Sequence, residues 1–239
     1  MGRLAQTLGV ADTRLPSFNL GEIMYNDQSN PYHARLNLFV SAILVIAGCL
    51  GAAAGPAQAA GEKAEAPQIK VGDRWKTEQK DKRTGIKESE ITRTVTAVSA
   101  NTIEGSENDG AFKMTVELNP LESTTTVIAG DAKFLNFPIE VGKKWSFKYN
   151  FANKINQGKG RSQLDAEVVA YEKVTVPAGS FDAFRIETKG FWNNEATRGN
   201  GRSKSIYWYA PAARSVVRTE YEDGFNNWVR ELTELNLQP

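Results

Sequence analysis

The chain has 239 residues, a formal net charge of +1, one cysteine and one histidine. Its charges of both signs are interspersed, without the basic stripe that a nucleic-acid partner requires, so no nucleic-acid partner is expected. Cys49 alone excludes an intrachain disulfide, and 41% apolar with 24% charged residues is the composition of a globular chain that can bury a core without staples.

Residues 1–34 form a long, polar, aperiodic extension. Such a leader is unusual before an export signal, so the true translation start is expected downstream of Met1; a cytoplasmic extension is the alternative. From Arg35 the pattern changes. A basic flank precedes the apolar run Leu36–Leu50, and small residues follow up to Ala57-Gln58-Ala59, a peptidase cleavage pattern. The run falls short of the roughly 20 residues a membrane span needs, and no basic stop-transfer flank follows it. Residues 35–59 therefore read as a signal peptide, and the mature chain as periplasmic or secreted. Inside the run, Ile46-Ala47-Gly48-Cys49 resembles the lipobox of bacterial lipoproteins. That resemblance implies lipidation at Cys49 and a membrane-anchored form, with the Ala/Gly-rich stretch as tether. Both readings stay open. Residues 60–67 are a linker.

Residues 68–239 read as a single β-rich domain. In Lys144–Phe151, Trp145, Phe147, Tyr149 and Phe151 alternate with polar residues, a period of two that puts the four aromatics on one sheet face. Further strands are expected over Glu88–Val98, Phe112–Glu117, Thr124–Ala129, Leu164–Val174, Phe184–Thr188, Ser203–Tyr209 and Ser215–Tyr221. Asn227–Leu235 also reads as a strand, although Trp228, Leu232 and Leu235 suit helical spacing. Val176-Pro177-Ala178-Gly179, Asp109-Gly110 and Asp223-Gly224 are turn signals. The fold class is mostly β: an antiparallel curved sheet, arranged as a sandwich or half-barrel. Val71-Gly72-Asp73-Arg74-Trp75 and Val141-Gly142-Lys143-Lys144-Trp145 share the frame Val-Gly-x-x-Trp. The repeat marks either two similar β-halves or a shared strand-opening device.

The phrases Phe137–Trp145, Val174–Ile186 and Trp208-Tyr209-Ala210-Pro211, in this order, resemble exported bacterial envelope proteins of a domain-of-unknown-function family. The resemblance covers most of residues 68–239 and implies an envelope location without an activity.

Cleavage after Ala59 leaves a mature chain without His or Cys. That removes Ser-His-Asp and Cys-His nucleophiles, zinc sites built on those residues, and His-ligated haem. No phosphate-binding or dinucleotide-binding motif occurs. No cofactor and no metal are expected. Carboxylate chemistry survives, on Glu88 and Glu90, Asp165 and Glu167, or Glu220 and Glu222. Two other features read as binding elements. Trp145, Phe147, Tyr149, Tyr207 and Tyr209 can line an apolar cavity in a curved sheet, or simply pack its interior. Gly158-Lys159-Gly160-Arg161-Ser162 and Gly199-Asn200-Gly201-Arg202-Ser203 share Gly-x-Gly-Arg-Ser, which can offer Arg161 and Arg202 to an anionic head group, or form plain solvated turns. The expected function is a non-catalytic envelope module that binds a lipid or other apolar small molecule. A structural domain contacting another envelope protein is the alternative, and a carboxylate-dependent hydrolase the third.

Overall fold

The computed structural model describes residues 63–155 and 158–239. The N-terminal extension, the signal peptide and Cys49 lie outside the described residues, as does part of the linker. Short strands β1 (Lys63–Ala64) and β8 (Ile139–Glu140) pair with each other. The remaining strands fall into two meanders. The first contains β2 (Arg74–Asp81), β3 (Lys87–Val98), β4 (Thr102–Glu107), β5 (Gly110–Thr115), β6 (Pro120–Glu122) and β7 (Thr126–Asp131). The second contains β9 (Lys144–Asn153), β10 (Lys159–Val176), β11 (Gly179–Asn194), β12 (Gly199–Ala210), β13 (Ser215–Glu222) and β14 (Asn227–Asn236).

The expectation of a curved antiparallel sheet is met, but the sheet is neither a sandwich nor a half-barrel. β7 pairs with β9, and β14 pairs with β2, so the two meanders close edge to edge into one barrel. Closure leaves no unpaired edge in this sheet, which strand alternation alone cannot announce.

Each meander opens in the same way. Gly72 and Gly142 have φ of 93° and 92°, in the left-handed region that favours glycine. The Gly72 N–H donates to the Val95 carbonyl at 2.9 Å, and Val95 N–H donates back to Asp73 at 2.9 Å. Gly142 donates to Val168 at 2.8 Å, and Val168 to Lys143 at 2.9 Å. Both partner strands carry a bulge immediately afterwards, at Val95/Ala97 and Val168/Ala170. Each Trp then plants its indole on a distant carbonyl, Trp75 on Ala213 at 2.9 Å and Trp145 on Lys133 at 2.7 Å. The sequence repeat is thus a repeated structural device, placed at the head of each meander.

β4 and β6 were not among the expected strands, and β2 was announced only by the Val71–Trp75 frame that opens it. β2 reads Arg-Trp-Lys-Thr-Glu-Gln-Lys-Asp, and its alternate residues beyond Trp75 are Thr77, Gln79 and Asp81. An apolar period of two is absent because this part of the barrel interior is polar. The helix-like spacing near the C-terminus also has a cause. A bulge between Leu232 and Glu234 shifts the alternation by one, so Leu232 and Leu235 fall in phase although they lie three apart.

The two ends of the barrel differ in their connections. At one end lie the short turns that join β2 to β3, β4 to β5, β6 to β7, β9 to β10, β11 to β12 and β13 to β14. The other end carries the chain entering β2, residues 132–143, the β10–β11 tip, a 3₁₀ turn over Pro211–Ala213 and the C-terminus. These segments fill that end. Leu135, Ile139, Val168, Phe184, Ile186 and Tyr209 form one buried cluster. Trp75, Val95, Phe112, Val176, Val217 and Leu232 belong to another. The β10–β11 tip reaches across the barrel, where Ala178 N–H donates to Leu232 at 3.0 Å. Asn119 clamps residues 132–138: its side chain exchanges two 2.8 Å hydrogen bonds with the Leu135 backbone. Asp73 is fully buried and ties down both termini of the domain. It accepts from Lys70 N–H at 2.9 Å, Gln238 N–H at 2.7 Å and the Arg214 guanidinium at 3.1 Å.

Candidate functional site

Successive inward rows of the second meander set large side chains beside small ones. One row runs Trp145, Ala166, Thr188, Ser205, Tyr221, Trp228 across six paired strands. The next row toward the short turns runs Phe147, Leu164, Gly190, Ser203, and the one after it Tyr149, Ser162, Trp192, Gly201. The wall between the aromatic groups is therefore largely Ser, Thr, Gly and Ala, and at Gly190 and Gly201 the Leu164 and Trp192 side chains take the space beside the small residue. At the closed end the lumen is filled from residues 132–138. Phe134 meets Phe147 at 5.2 Å, Tyr149 at 5.1 Å and Tyr207 at 6.1 Å between ring centroids. Phe137 meets Tyr209 edge-on at 5.2 Å.

The structure thus divides the aromatic residues singled out by sequence. Trp145, Phe147, Tyr149 and Tyr207 gather around residues 133 and 134, as their shared phase implies. Phe147 and Tyr209 are buried in packed clusters, at 4% and 1% accessibility, and serve the core. Tyr149 and Tyr207 stand at the boundary between that core and the mouth. Tyr207 is partly accessible, yet burial pushes its hydroxyl up to about 12, with the Ser205 and Thr188 hydroxyls beside it.

Arg230 is the centre of the mouth. It shares a row with Thr219, Tyr207 and Ile186, which fixes its direction as inward. Its guanidinium lies 5.1 Å from the Trp228 ring centre, and Nη2 donates to Gln79 Oε1 at 2.6 Å. Nε is buried without a hydrogen-bond partner. Burial, then the charge of Arg93, pulls the Arg230 guanidinium down to about 10, with Glu107 opposing. Arginine does not shed its proton at physiological pH, so the depression expresses a cost of holding charge there that is only partly offset. Arg93 has its own partner: Nε donates to Glu107 at 2.7 Å and Nη2 lies at 2.6 Å. Glu107 also accepts from Thr124 N–H at 2.9 Å. Burial raises its carboxyl, but the Arg93 charge and the Thr124 N–H outweigh it and hold Glu107 below the usual range. The mouth therefore sets two guanidiniums, Arg93 and Arg230, against one buried carboxylate. Tyr221 stacks on Trp228 at 5.2 Å and donates to Asp223 at 3.0 Å. Trp192 Nε1 and Thr188 Oγ1 are also buried without a partner.

Arg93, Glu107, Tyr221, Trp228 and Arg230 were missed by sequence reasoning. The available signal was a basic residue at an apolar phase: Arg230 between Trp228 and Leu232, and Arg93 between Ile91 and Val95.

Arg161 and Arg202 lie on the outer face, near the mouth, on β10 and β12. β11 separates them, so they stand about 10 Å apart across the sheet. The carboxylate pairs are also outward or rim residues. Asp165 accepts from Ser146 at 2.7 Å, Glu167 pairs with Lys144 at 3.2 Å, and Glu88 accepts from Gln79 at 2.8 Å. Lys87 and Lys76 hold Glu90 below its ordinary value, and at Glu220 Lys82 and Arg218 outweigh burial in the same direction. A general acid needs the opposite shift. A groove of about 690 Å³ runs along β9–β12, lined by the charged Lys144, Asp165, Glu167, Glu187, Lys189 and Lys204 and also by Trp145, Ala166, Val169 and Thr188. Among the described residues no group of three His, Cys, Asp or Glu side chains is placed to hold a metal ion, and no helix is long and apolar enough to cross a membrane.

A closed antiparallel barrel, plugged at one end and carrying an arginine-bearing mouth at the other, is the class of protein that fold and site define. Two solved bacterial structures share the fold. One is a presumed exported protein with a YmcC-like fold from Bacteroides fragilis. It is 14% identical, with a TM-score of 0.50 over 72% of this chain and 99% of that one. The other is a presumed lipoprotein from Parabacteroides distasonis, 17% identical, with a TM-score of 0.51 over 73% of this chain and all of that one. The resemblance to exported bacterial proteins of unknown function, carried in the sequence by short phrases, thus recurs at the level of the fold. No family model matches the sequence, and no curated protein matches it.

Proposed function

We propose that the protein is an exported, non-catalytic envelope protein that holds a lipid-like molecule in its barrel mouth. The ligand's anionic group meets Arg230, and its apolar part lies against Tyr149, Tyr207, Tyr221 and Trp228. The observation that carries this reading is Arg230: inward, half-buried beside Trp228, with its Nε buried and without a partner. A buried guanidinium without a full set of acceptors is costly, and an anionic ligand offsets that cost. Export is supported by the basic-apolar-small pattern over residues 35–59, and by a fold shared with bacterial proteins whose names carry export or lipid attachment. The lowered values of Glu90 and Glu220 speak against their use as general acids.

Native mass spectrometry of protein purified from the cell envelope tests the reading. A co-purifying small mass is expected, retained less by Arg230→Gln than by the wild type. In parallel, a fluorescent fatty acid such as parinaric acid should bind saturably to the wild type and be displaced by oleate. A clean apo mass together with no saturable binding overturns the proposal.

A further inference from the structure

The six short turns at the mouth form a rim, and the rim carries an unusual set of exposed side chains. Ile86 in the β2–β3 turn is 65% accessible, Ile155 in the β9–β10 turn 76%, and Phe225 in the β13–β14 turn 72%. Phe191, near the end of β11, is 63% accessible. These side chains sit on separate turns around an opening, not in one flat patch. The turns that bear them are laced to one another: Lys82 N–H donates to Asn227 at 2.8 Å, Lys154 N–H to Thr125 at 2.8 Å, and Glu195 N–H to Lys159 at 2.8 Å. Phe225 also rests edge-on against Trp192 at 6.0 Å. The apolar tips are therefore held outward by an ordered frame.

The same rim carries unpaired positive charge. Most surface cations of this domain have a carboxylate within reach. Lys82 pairs with Glu220, Lys87 with Glu78 and Glu90, and Lys154 with Glu122. Among the described residues Arg161, Arg198 and Arg202 have no such partner, as is also true of Lys148, Lys189 and Lys204 farther from the turns, and Arg202 lies over the exposed Phe191 ring at 5.6 Å. All three are exposed and flank the β11–β12 turn. Apolar tips projecting beside unpaired guanidiniums match the boundary of an anionic bilayer, where rings enter the headgroup layer and arginines meet phosphates.

We infer that the barrel mouth docks on an anionic lipid surface, with Ile155, Phe191 and Phe225 entering the interface and Arg161, Arg198 and Arg202 meeting lipid phosphates. This surface is the outer rim, so the inference does not depend on a ligand inside the lumen. Docking in this orientation would set the lumen opening against the membrane.

The test is flotation of the chain beginning at Ala60, which contains the whole barrel, with vesicles of phosphatidylcholine alone or with added phosphatidylglycerol. The wild type is expected to float with the anionic vesicles and to be released by salt. Each arginine near an anionic surface contributes roughly a fivefold factor, so changing all three to Gln should weaken binding on the order of a hundredfold. Phe191→Ser with Phe225→Ser should weaken it as well, with an unchanged circular dichroism spectrum. Arg230→Gln, inside the lumen, should float like the wild type even if it loses its co-purifying molecule, which separates this inference from the lumen proposal. A wild type that does not float with anionic vesicles overturns the inference, as does equal flotation with both vesicle types or by the triple arginine variant.

Discussion

The two ends of the barrel are built from the same strands and have opposite character. At the closed end the long connection over residues 132–143 folds back into the lumen, and the rows around it hold Phe184, Ile186, Tyr209 and Leu232 at 1% accessibility or less. At the mouth the connections are short turns, too short to fill the space between opposite walls. The inward residues there, Trp192, Tyr221, Trp228 and Arg230, stay partly accessible. Stability is therefore concentrated at one end, and side chains with unmet hydrogen-bonding capacity at the other. A barrel that was packed from end to end would have no use for an inward guanidinium without a full set of partners.

The comparison is easiest to break by truncation. Phe184→Ala at the closed end should cost about 4 kcal/mol in urea unfolding, whereas Trp192→Ala at the mouth should cost under about 2 kcal/mol, since less packing is lost. Equal costs would mean that the mouth is as tightly packed as the core. Asp73→Ala removes the buried carboxylate that gathers Lys70, Gln238 and Arg214, and should cost about 3 kcal/mol by the same measurement. Arg214→Met at the other side of that pair should cost less, because it leaves the backbone donors in place.

Glu107→Gln probes the mouth. It leaves Arg93 and Arg230 without their shared counterion, and a loss on the order of 2 kcal/mol is expected at neutral pH. The folded-state value of Glu107 is depressed, so its contribution is present above the ordinary glutamate range and is lost as pH falls through the folded value. The variant should therefore show a flatter stability profile on the acid side. The smallest effect is expected at Tyr207. Burial raises its hydroxyl from 10.0 to about 12, so its contribution is complete below pH 10 and disappears as pH rises toward 12. Tyr207→Phe should remove part of the alkaline fall in stability while changing neutral stability by less than about 1 kcal/mol.

The residues that could be placed in advance are those whose surroundings announce themselves locally. Trp145, Phe147 and Tyr149 alternate cleanly, so their common face was readable, and so were the strands that carry Val, Ile, Tyr and Trp. β2 was readable only at its opening frame, because its later inward positions Thr77 and Gln79 face a polar lumen and imitate a loop. β14 looked half helical because a bulge at Thr233 broke its period. Arg230 was hidden by the same logic: a charged residue at an inward phase is read as an exception until its neighbours are known.

The sequence by itself determined the β character of residues 68–239, the common face of the β9 aromatics, and the frame repeated at Gly72 and Gly142. These depend on alternation and backbone preference, which act over a few residues. Only the tertiary structure decided that the meanders close into a barrel, that Phe134 and Phe137 plug one end, and that Arg230 and Arg93 stand together beside the buried Glu107. Those outcomes rest on the pairing of β14 with β2 and of β7 with β9, and on which connections are long enough to fold inward. Contacts between residues so far apart in the chain leave no trace in any local pattern.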